Sequence, residues 1–136
     1  MENLLFYEDM SQDMDDEGKL VSMMLEANKN VRFACICDAE GKILWNSHRD
    51  NLENKLSLEE IRESVKTACE HWSKRDHLAE KIGKGRFAVV DYEKLKRVTV
   101  PLINNHLLYM HVDANKPEYM GDILNIIKYV GEHPSQ

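Results

Sequence analysis

Apolar residues recur every three or four positions in three segments of the chain, and this spacing predicts three helices. The first covers residues 19–28, the second follows Ser57 and ends around Ile82, and the third begins near Asn115. The apolar positions are Leu20, Met23, Met24 and Ala27 in the first helix, Ile61, Val65, Ala68, Trp72 and Ala79 in the second, and Met120, Ile123, Leu124, Ile127 and Val130 in the third. Each set marks the face that we expect its helix to bury.

Residues typical of helix ends support these boundaries. Ser57 and Glu60 form the capping-box pattern, in which each side chain accepts a hydrogen bond from the other residue's backbone N–H. Gly83 is the type of residue that commonly ends a helix. Asn115 and Glu118 repeat the capping spacing before the third helix. The middle helix is therefore the longest predicted element.

Five segments have the composition of strands. Residues 31–37 are a continuous apolar run broken only by Arg32, which predicts a strand covered on both faces. A turn, DAEGK, with Gly41 at the position that needs positive φ, leads into the second strand, KILWNS. Three further strands follow at residues 85–92, 97–102 and 106–113, separated by the polar reversal EKLK and the turn INN.

The order of elements is helix, two strands, helix, three strands and helix. Short reversals between consecutive strands favour antiparallel neighbours. We therefore predict an α+β fold with a single five-stranded, mostly antiparallel sheet and helices on both faces. Pro101 removes a hydrogen-bond donor from the fourth strand, so we expect a bulge or a strand end there.

The length and charge of the chain limit the possible functions. With 136 residues, 43% of them hydrophobic, it has the size of one domain. We expect an acidic arm at residues 1–18, a domain at 19–132 and a tail at 133–136. A net charge of −6 means that the chain lacks the excess of positive charge that is typical of proteins that bind nucleic acid. No apolar run is long enough to span a membrane. We predict a cytoplasmic protein that binds neither nucleic acid nor membranes.

Cys35 and Cys37 are the first candidates for chemistry because they lie two residues apart. On a strand they share one face with Val31 and Phe33, which places both thiols in an apolar row. A tetrahedral zinc site needs about four ligands, whereas the sequence adds only Cys69 and six scattered histidines. The spacing also differs from the Cys-x-x-Cys pattern of redox sites. We expect core thiols, with no metal and no cofactor.

The histidines form no recognisable catalytic arrangement. His71 and His77 are six residues apart on the middle helix, which turns them to different faces. His106 and His111 have an odd separation on one strand and point to opposite faces. We therefore assign no catalytic residue and predict that the protein is not an enzyme.

Six basic residues lie in and around the segment GKGR and the strands that follow it: Lys81, Lys84, Arg86, Lys94, Lys96 and Arg97. GKGR lacks the spacing of a phosphate-binding loop and follows a helix C-terminus, where the macrodipole repels anions. We interpret it as a helix stop. The six residues predict a basic patch, which is either a solvated face or a surface for an acidic partner.

The element order and two segments resemble the roadblock/LC7 family and related profilin-like folds. The segments are VRFACICDAEGKILWNS, with Asp38 and Gly41 at its hairpin, and NNHLLYMHVDANKPEYMGDILNII. The resemblance covers residues 19–130 and depends mainly on topology. More narrowly, LWNSHRDNLENKLSLEE, KIGKGRF and NNHLLYM resemble a group of small uncharacterised proteins of ammonia-oxidising archaea.

The roadblock resemblance implies a homodimeric scaffold or regulator whose partner is a small GTPase or another cytoplasmic protein. It also places the strand at residues 87–92 at the sheet edge, where Phe87, Val89 and Asp91 form the expected dimer edge. The middle helix departs from the family, because charged residues stand where the family often has small residues for helix packing.

Two other functions remain open. One is a PAS/profilin-like sensor that holds a small molecule between the sheet and the middle helix, near Phe33, Trp45 and Trp72. The other is an enzyme that uses Cys35 or Cys37 with a histidine. A concave pocket beside the middle helix favours the sensor, whereas an exposed sheet edge favours the interaction module.

Overall fold

The computed structural model describes residues 12–48, 56–113 and 119–132, which form four helices and five strands. In chain order they are α1 Gln12–Ala27, β1 Val31–Cys37, β2 Ile43–His48, α2 Leu58–Asp76, α3 Ala79–Ile82, β3 Ala88–Asp91, β4 Leu95–Pro101, β5 Leu107–Asp113 and α4 Tyr119–Glu132. A short 3-10 turn, Ile103–Asn105, joins β4 to β5.

The strands form one sheet in the order β2-β1-β5-β4-β3, and every neighbouring pair is antiparallel. β1 and β5 lie at its centre. Every residue of β1 except Arg32 is buried, as expected for a strand that is covered on both faces. The predicted α+β class, with a five-stranded sheet and helices on both faces, is confirmed.

The two faces of the sheet carry two separate apolar layers. α1 and α4 cover one face together, and α2 covers the other. The first layer contains Leu20, Val21, Met24, Leu25, Ile123, Ile126 and Val130 from the helices and Val31, Ala34, Ile36, Val98, Val100, Leu108, Met110 and Val112 from the sheet. The second contains Ile61, Val65, Ala68 and Trp72 from α2 and Phe33, Cys35, Cys37, Leu107 and Tyr109 from the sheet.

The alternation of side chains along β1 has one irregularity. Cys35 and Cys37 face α2 together with Phe33, as the sequence predicts, but Val31 packs in the opposite layer. The register between β1 and β5 shifts between Val31 and Phe33, and such a bulge changes which face a side chain occupies. The prediction that Val31 shares a face with the two cysteines is therefore wrong.

The first helix buries only part of its expected apolar face. Leu20 and Met24 are buried, but Met23 is 40% exposed, so its expected burial is wrong.

The first helix also starts earlier than predicted, at Gln12 rather than Lys19. The additional part includes Glu17, whose buried side chain lies 2.5 Å from His106, measured between Oε2 and Nδ1. This contact fixes α1 to the segment before β5. An acidic residue thus belongs to the packed structure, because a histidine across the fold provides its hydrogen-bond partner.

The middle helix divides in two. α2 ends at Asp76 and the single turn α3 follows, so one continuous helix to Ile82 is wrong. Ile61, Val65, Ala68 and Trp72 are buried as predicted, whereas Ala79 is half-buried on α3. Gly83 ends α3 with a φ of 90°, which confirms the predicted helix stop.

The β3–β4 hairpin also differs from its predicted bounds. β3 is only four residues long and begins after Phe87. The reversal predicted at EKLK is shorter, because Leu95 and Lys96 already belong to β4 and are buried. Pro101 is the last residue of β4, so the predicted strand end is confirmed.

The last helix buries a slightly different stripe from the one predicted. Ile123 and Val130 are buried as expected, Ile127 is half-buried, and Ile126 is fully buried. Leu124 is 53% exposed, so its predicted burial is wrong. The spacing of residues 123, 126, 127 and 130 follows one face of a helix, from which residue 124 is turned away.

Some predictions fall outside the described residues. The helix start at Asn115 and Glu118 lies in residues 114–118, which are not described, and α4 is described from Tyr119. Residues 1–11 and 133–136 are likewise outside the description. The division into an arm, a domain and a tail stays a prediction.

The β1–β2 turn shows why the hairpin needs a glycine. Gly41 has a φ of 90°, and a Cβ atom built there would lie 3.2 Å from the Cα atom of Lys66 on α2. The carboxylate of Asp38 accepts hydrogen bonds from the backbone N–H groups of Glu40 and Lys42 at 3.0 and 2.9 Å. Glycine at position 41 therefore allows both the turn conformation and the close approach of α2.

The capping box predicted at the start of α2 is confirmed. The Oγ atom of Ser57 accepts from the N–H of Glu60 at 3.1 Å, and Oε1 of Glu60 accepts from the N–H of Ser57 at 2.9 Å. Both hydrogen bonds satisfy backbone donors that the helix itself leaves unpaired.

We predict that Ser57→Ala lowers the free energy of unfolding by about 1 kcal/mol, because it removes the acceptor for the N–H of Glu60. Denaturant unfolding measures the change. Ser73→Ala is the matched control, since Ser73 is an exposed residue inside the same helix and alanine has the higher helix propensity. Equal midpoints for the two variants would contradict the prediction.

Candidate functional site

β3 is one edge strand of the sheet, as the roadblock resemblance implies for this segment. Of the three residues expected to form a dimer edge, Val89 and Asp91 lie in the strand, and Phe87 directly precedes it. Val89 pairs with Val98 of β4 and packs against the layer of α1 and α4. Within the described chain β3 pairs only with β4, so one side of its backbone has no strand partner.

Three exposed apolar side chains lie along the segment that leads into β3. Leu78, Ile82 and Phe87 are 53%, 78% and 39% exposed. Leu78 and Ile82 are four residues apart and therefore lie on one side of the α3 turn. We call these three side chains, together with the β3 edge, the edge surface. Its apolar content is unusual for a solvated turn and indicates a surface that gains from being covered.

Trp72 of α2 contacts the chain just before β3. A Cβ atom built on Gly85 would lie 2.6 Å from the Trp72 ring, so the chain before β3 passes directly over the indole. The indole N–H donates to Oγ1 of Thr99 on β4 at 2.8 Å. The guanidinium of Arg75 lies 4.8 Å from the centre of the same ring system, within the range of a cation–π contact. The start of β3 is thus held against α2 and β4.

The six residues of the predicted basic patch occupy different environments. Lys81, Lys84, Arg86 and Lys94 are exposed. Lys96 is buried, forms an ion pair with Asp91 across the hairpin, and donates to the carbonyl oxygen of Tyr92. Arg97 is half-buried on the face toward α2. A common patch of all six residues stays a prediction, and the environments of Lys96 and Arg97 indicate separate roles.

Arg97 is the first member of a polar network that crosses from β4 to α2 and back to β5. Its Nη1 donates to Oγ of Ser64 at 3.2 Å, Ser64 Oγ lies 2.7 Å from the Tyr109 hydroxyl, and that hydroxyl lies 2.8 Å from Nε2 of His111. The network borders a cavity of about 380 Å³ between the first half of α2 and the sheet. Sequence reasoning missed this cluster, because its members are far apart in the chain.

Burial keeps the two ring groups of this network uncharged near neutral pH. Desolvation, followed by the charges of Arg97 and Arg32, lowers the pKa of His111 to about 4. Desolvation also raises the pKa of Tyr109 to about 12, although its hydrogen bond with Ser64 opposes the shift. A neutral imidazole has an unprotonated nitrogen, so the Tyr109 hydroxyl can donate to His111 while it accepts from Ser64.

The three aromatic residues predicted to border a ligand pocket do not come together. Phe33 and Trp72 pack in the layer of α2, whereas Trp45 packs against the layer of α1 and α4 on the other side of the sheet. That predicted pocket is therefore wrong. The reason is a break in the alternation along β2. The β1–β2 register shifts between Ile36 and Cys37, so Ile43 packs with α2 whereas Trp45, two residues later, reaches the other layer.

Cys37 approaches Cys69 of α2 rather than Cys35, with 3.3 Å between the two sulfur atoms. Burial raises the pKa of the Cys35 thiol to about 12. The hydrogen bond with Cys69 and burial raise the pKa of Cys37, and the same hydrogen bond lowers that of Cys69. Cys69 is also the more exposed of the three thiols. The sequence placed it as an isolated cysteine because the contact joins a strand to a helix.

Two of the described histidines contact residues other than the cysteines. His106 contacts Glu17, and His111 contacts Tyr109. Among the residues that the structure describes, no group of three or more His, Cys, Asp and Glu residues could hold a metal ion. None of the described helices combines the length and the apolar character needed to cross a bilayer.

We predict that acid destabilises the fold through His111. A histidine with a folded pKa of about 4 and an unfolded pKa of about 6.5 contributes stability above pH 6.5 that is lost as the pH falls toward 4, by about 2–3 kcal/mol in total. The charged and titratable groups around it are Arg97 on β4, Arg32 on β1, Tyr109 on β5, and Glu60, Tyr92 and Lys94, which border the same cavity.

Unfolding free energies between pH 7 and 4, measured on the wild type, His111→Gln and His71→Gln, test this prediction. His111→Gln should lose less stability over this range, whereas His71→Gln should follow the wild type because His71 is an exposed residue of α2. Parallel curves for the wild type and His111→Gln would show that His111 does not set the acid dependence.

Neither a protein-family model nor a curated protein sequence matches the chain. Solved structures do match it. The gliding protein MglB of Thermus thermophilus has a TM-score of 0.72 at 14% identity, over 90% of this chain and 88% of that chain. A Roadblock/LC7 domain from Streptomyces avermitilis has a TM-score of 0.61 at 12% identity, over 85% and 94%.

Profilin IB of Acanthamoeba castellanii is also similar, with a TM-score of 0.56 at 12% identity, over 85% of this chain and 94% of that chain. At these identities the similarity establishes the fold. This similarity agrees with the strand order described above and with the three helices, α1, α2 and α4, that cover the sheet. The chain therefore has a roadblock/LC7-like fold of the profilin-like type, as its sequence predicts.

Proposed function

We propose that this chain is a non-enzymatic scaffold or regulatory module of the cytoplasm that acts as a homodimer through its edge surface. The observation that carries the proposal is the β3 edge, together with exposed Leu78, Ile82 and Phe87 in the segment that leads into it. An edge strand is a template for another strand, and apolar side chains next to it gain from burial. A second copy of the chain supplies both a strand partner for β3 and an apolar surface for these side chains, since a two-fold axis brings each edge surface against its equivalent.

Pairing of β3 with its symmetry mate continues the sheet from one copy into the other. It also places the two α2 helices side by side and antiparallel, because α2 covers one face of the same sheet. Trp72 holds the segment before β3 in position before any partner arrives. A preformed edge of this kind loses little conformational entropy on association.

The charges of α2 support an antiparallel arrangement. Its first turn carries Glu59 and Glu60, and its last turn carries Lys74 and Arg75. Antiparallel neighbours bring the acidic end of each helix toward the basic end of the other, so the interface is electrostatically self-complementary. The charged helix, which departs from the small-residue packing of the family, is therefore compatible with pairing.

The cysteine environments favour a non-enzymatic role. Cys35 is a buried thiol with a raised pKa, and the described neighbour of Cys37 is Cys69 rather than a histidine. A nucleophilic cysteine normally needs a base or a positive charge that generates its thiolate. This supports a function based on surfaces rather than on covalent chemistry.

The proposed partner is a small GTPase or another cytoplasmic protein, which is what the roadblock resemblance implies. Co-purification from native cells with the wild type and with an edge-surface variant tests this part. Recovery of one GTP-binding protein, confirmed by direct binding of the two purified proteins, supports the GTPase. Failure of that purified pair to bind would contradict it.

We predict that Leu78→Glu weakens the homodimer at least about tenfold, because it places a carboxylate in the apolar part of the interface. Leu124→Glu is the matched control: both leucines are 53% exposed, but Leu124 lies on α4, outside the edge surface. Light scattering over a dilution series measures dissociation. The same dissociation constant for both variants would place the interface elsewhere.

Val89→Pro tests the strand pairing itself. Proline removes a backbone donor and obstructs the edge, so we expect a folded variant to be monomeric at about 50 μM, where the wild type is dimeric. Circular dichroism checks that the variant is folded. A monomeric wild type, or a folded Val89→Pro variant that stays dimeric, excludes pairing through β3.

A further inference from the structure

The cavity bordered by the Arg97 network has the features of a small-molecule site. Its volume of about 380 Å³ is of the order found for ligand pockets. Polar groups converge on it from three elements, with Ser64 on α2, Arg97 on β4, and Tyr109 and His111 on β5. Its remaining walls include the apolar groups of Leu56, Leu95 and Tyr92. Such a mixture holds an organic molecule with one polar end.

The charge of Arg97 is the feature that selects the ligand. In the described part of the chain no carboxylate lies within ion-pair distance of this guanidinium, although it is half-buried. Its Nε atom is enclosed and has no hydrogen-bond acceptor among the described residues. A partly desolvated cation without a counter-charge is unfavourable, and an anion in the cavity would remove this cost.

The guanidinium is also held in place before a ligand binds. Its Nη1 donates to Ser64, and Ser64 is held in turn by the Tyr109 hydroxyl at 2.7 Å. Tyr109 is fixed by His111 and by an edge-on contact with the ring of Phe33. An arginine whose rotamer is already fixed loses less side-chain entropy on binding an anion.

An acidic residue at the wall of the cavity limits how much negative charge the cavity accepts. Glu60 borders the cavity, and its carboxylate is used by the capping box at Ser57. A second negative group near this carboxylate is repelled, so a dianion such as phosphate is disfavoured. Lys94 also borders the cavity, but it is exposed, and its ammonium is solvated. The half-buried guanidinium of Arg97 is therefore the cation that gains from a carboxylate, and the planar shapes of these two groups match.

We propose that this cavity binds a small organic monocarboxylate, whose carboxylate accepts hydrogen bonds from Arg97 and whose apolar part lies against Leu95 and Tyr92. The Tyr109 hydroxyl and the His111 imidazole position the arginine through Ser64. The site lies beneath α2 and does not depend on a dimer, so its test is independent of the tests of the edge surface.

Nuclear magnetic resonance titration of the full chain with benzoate, with hexanoate and with inorganic phosphate tests the proposal. We expect saturable shifts of the backbone amides of Ser64, Leu95, Arg97 and Tyr109 with one or both carboxylates. Amides around Trp45, across the sheet, should not move. The titration uses the wild type, so it does not depend on the folding of any variant.

Arg97→Gln should weaken carboxylate binding about tenfold or more, because it removes the charge-assisted hydrogen bonds. Arg62→Gln is the matched control, since Arg62 is exposed on α2 and its nearest acidic partner is Glu59. Arg97→Lys keeps the charge without the planar fork, so we expect an intermediate affinity if its fold is intact.

Three results would overturn the proposal. One is the absence of saturable shifts with either carboxylate up to about 10 mM, which corresponds to a negligible affinity. Another is binding that Arg97→Gln and Arg62→Gln affect equally. The third is inorganic phosphate binding in the same cavity more tightly than both carboxylates, which would assign the site to a different class of anion.

Discussion

The central pair of strands, β1 and β5, is the constraint on which the rest of this fold depends. Both strands are buried along nearly their whole length, so each needs an apolar layer on either side. α1 and α4 provide one layer, and α2 provides the other. The polar side chain of Arg32 is accommodated because it pairs with Asp113 of β5 at 2.8 Å. Neither strand could remain central if one layer were missing.

The helical layers also determine where polar groups can be buried. Tyr109 lies fully inside the α2 layer, and its hydroxyl needs a partner there. Ser64 and His111 meet this need, and the network then reaches Arg97. The burial of Tyr109 on β5 therefore accounts for the hydrogen-bond network that holds Arg97 at the wall of the cavity. The same packing thus supports the proposed binding of a carboxylate by Arg97.

The β3–β4 hairpin serves both proposed surfaces because its side chains alternate between faces. On one face Lys96 pairs with Asp91 and closes the hairpin beside the edge. On the other face Arg97 points toward α2, and Thr99 accepts from Trp72. A single short hairpin therefore contributes an exposed edge to one proposed site and a cation to another.

Short segments of the sequence were sufficient to predict much of the fold. The capping box at Ser57, the helix stop at Gly83, the β1–β2 turn at Gly41 and the strand end at Pro101 depend on the conformational preferences of a few adjacent residues. The apolar run of β1 indicated a central strand for a similar reason, since both of its faces must avoid water. The edge position of β3 followed from the resemblance in topology.

Tertiary packing decided the features that depend on distant residues. The bulge that moves Val31 to the opposite layer, and the contact between Cys37 and Cys69, arise where strands and helices meet. The network of Arg97 is of the same kind. The sequence by itself determined which elements form, because helix and strand periods are set by local backbone geometry. Only the tertiary structure decided which side chains meet, because those contacts depend on register, bulges and the choice of helix for each face.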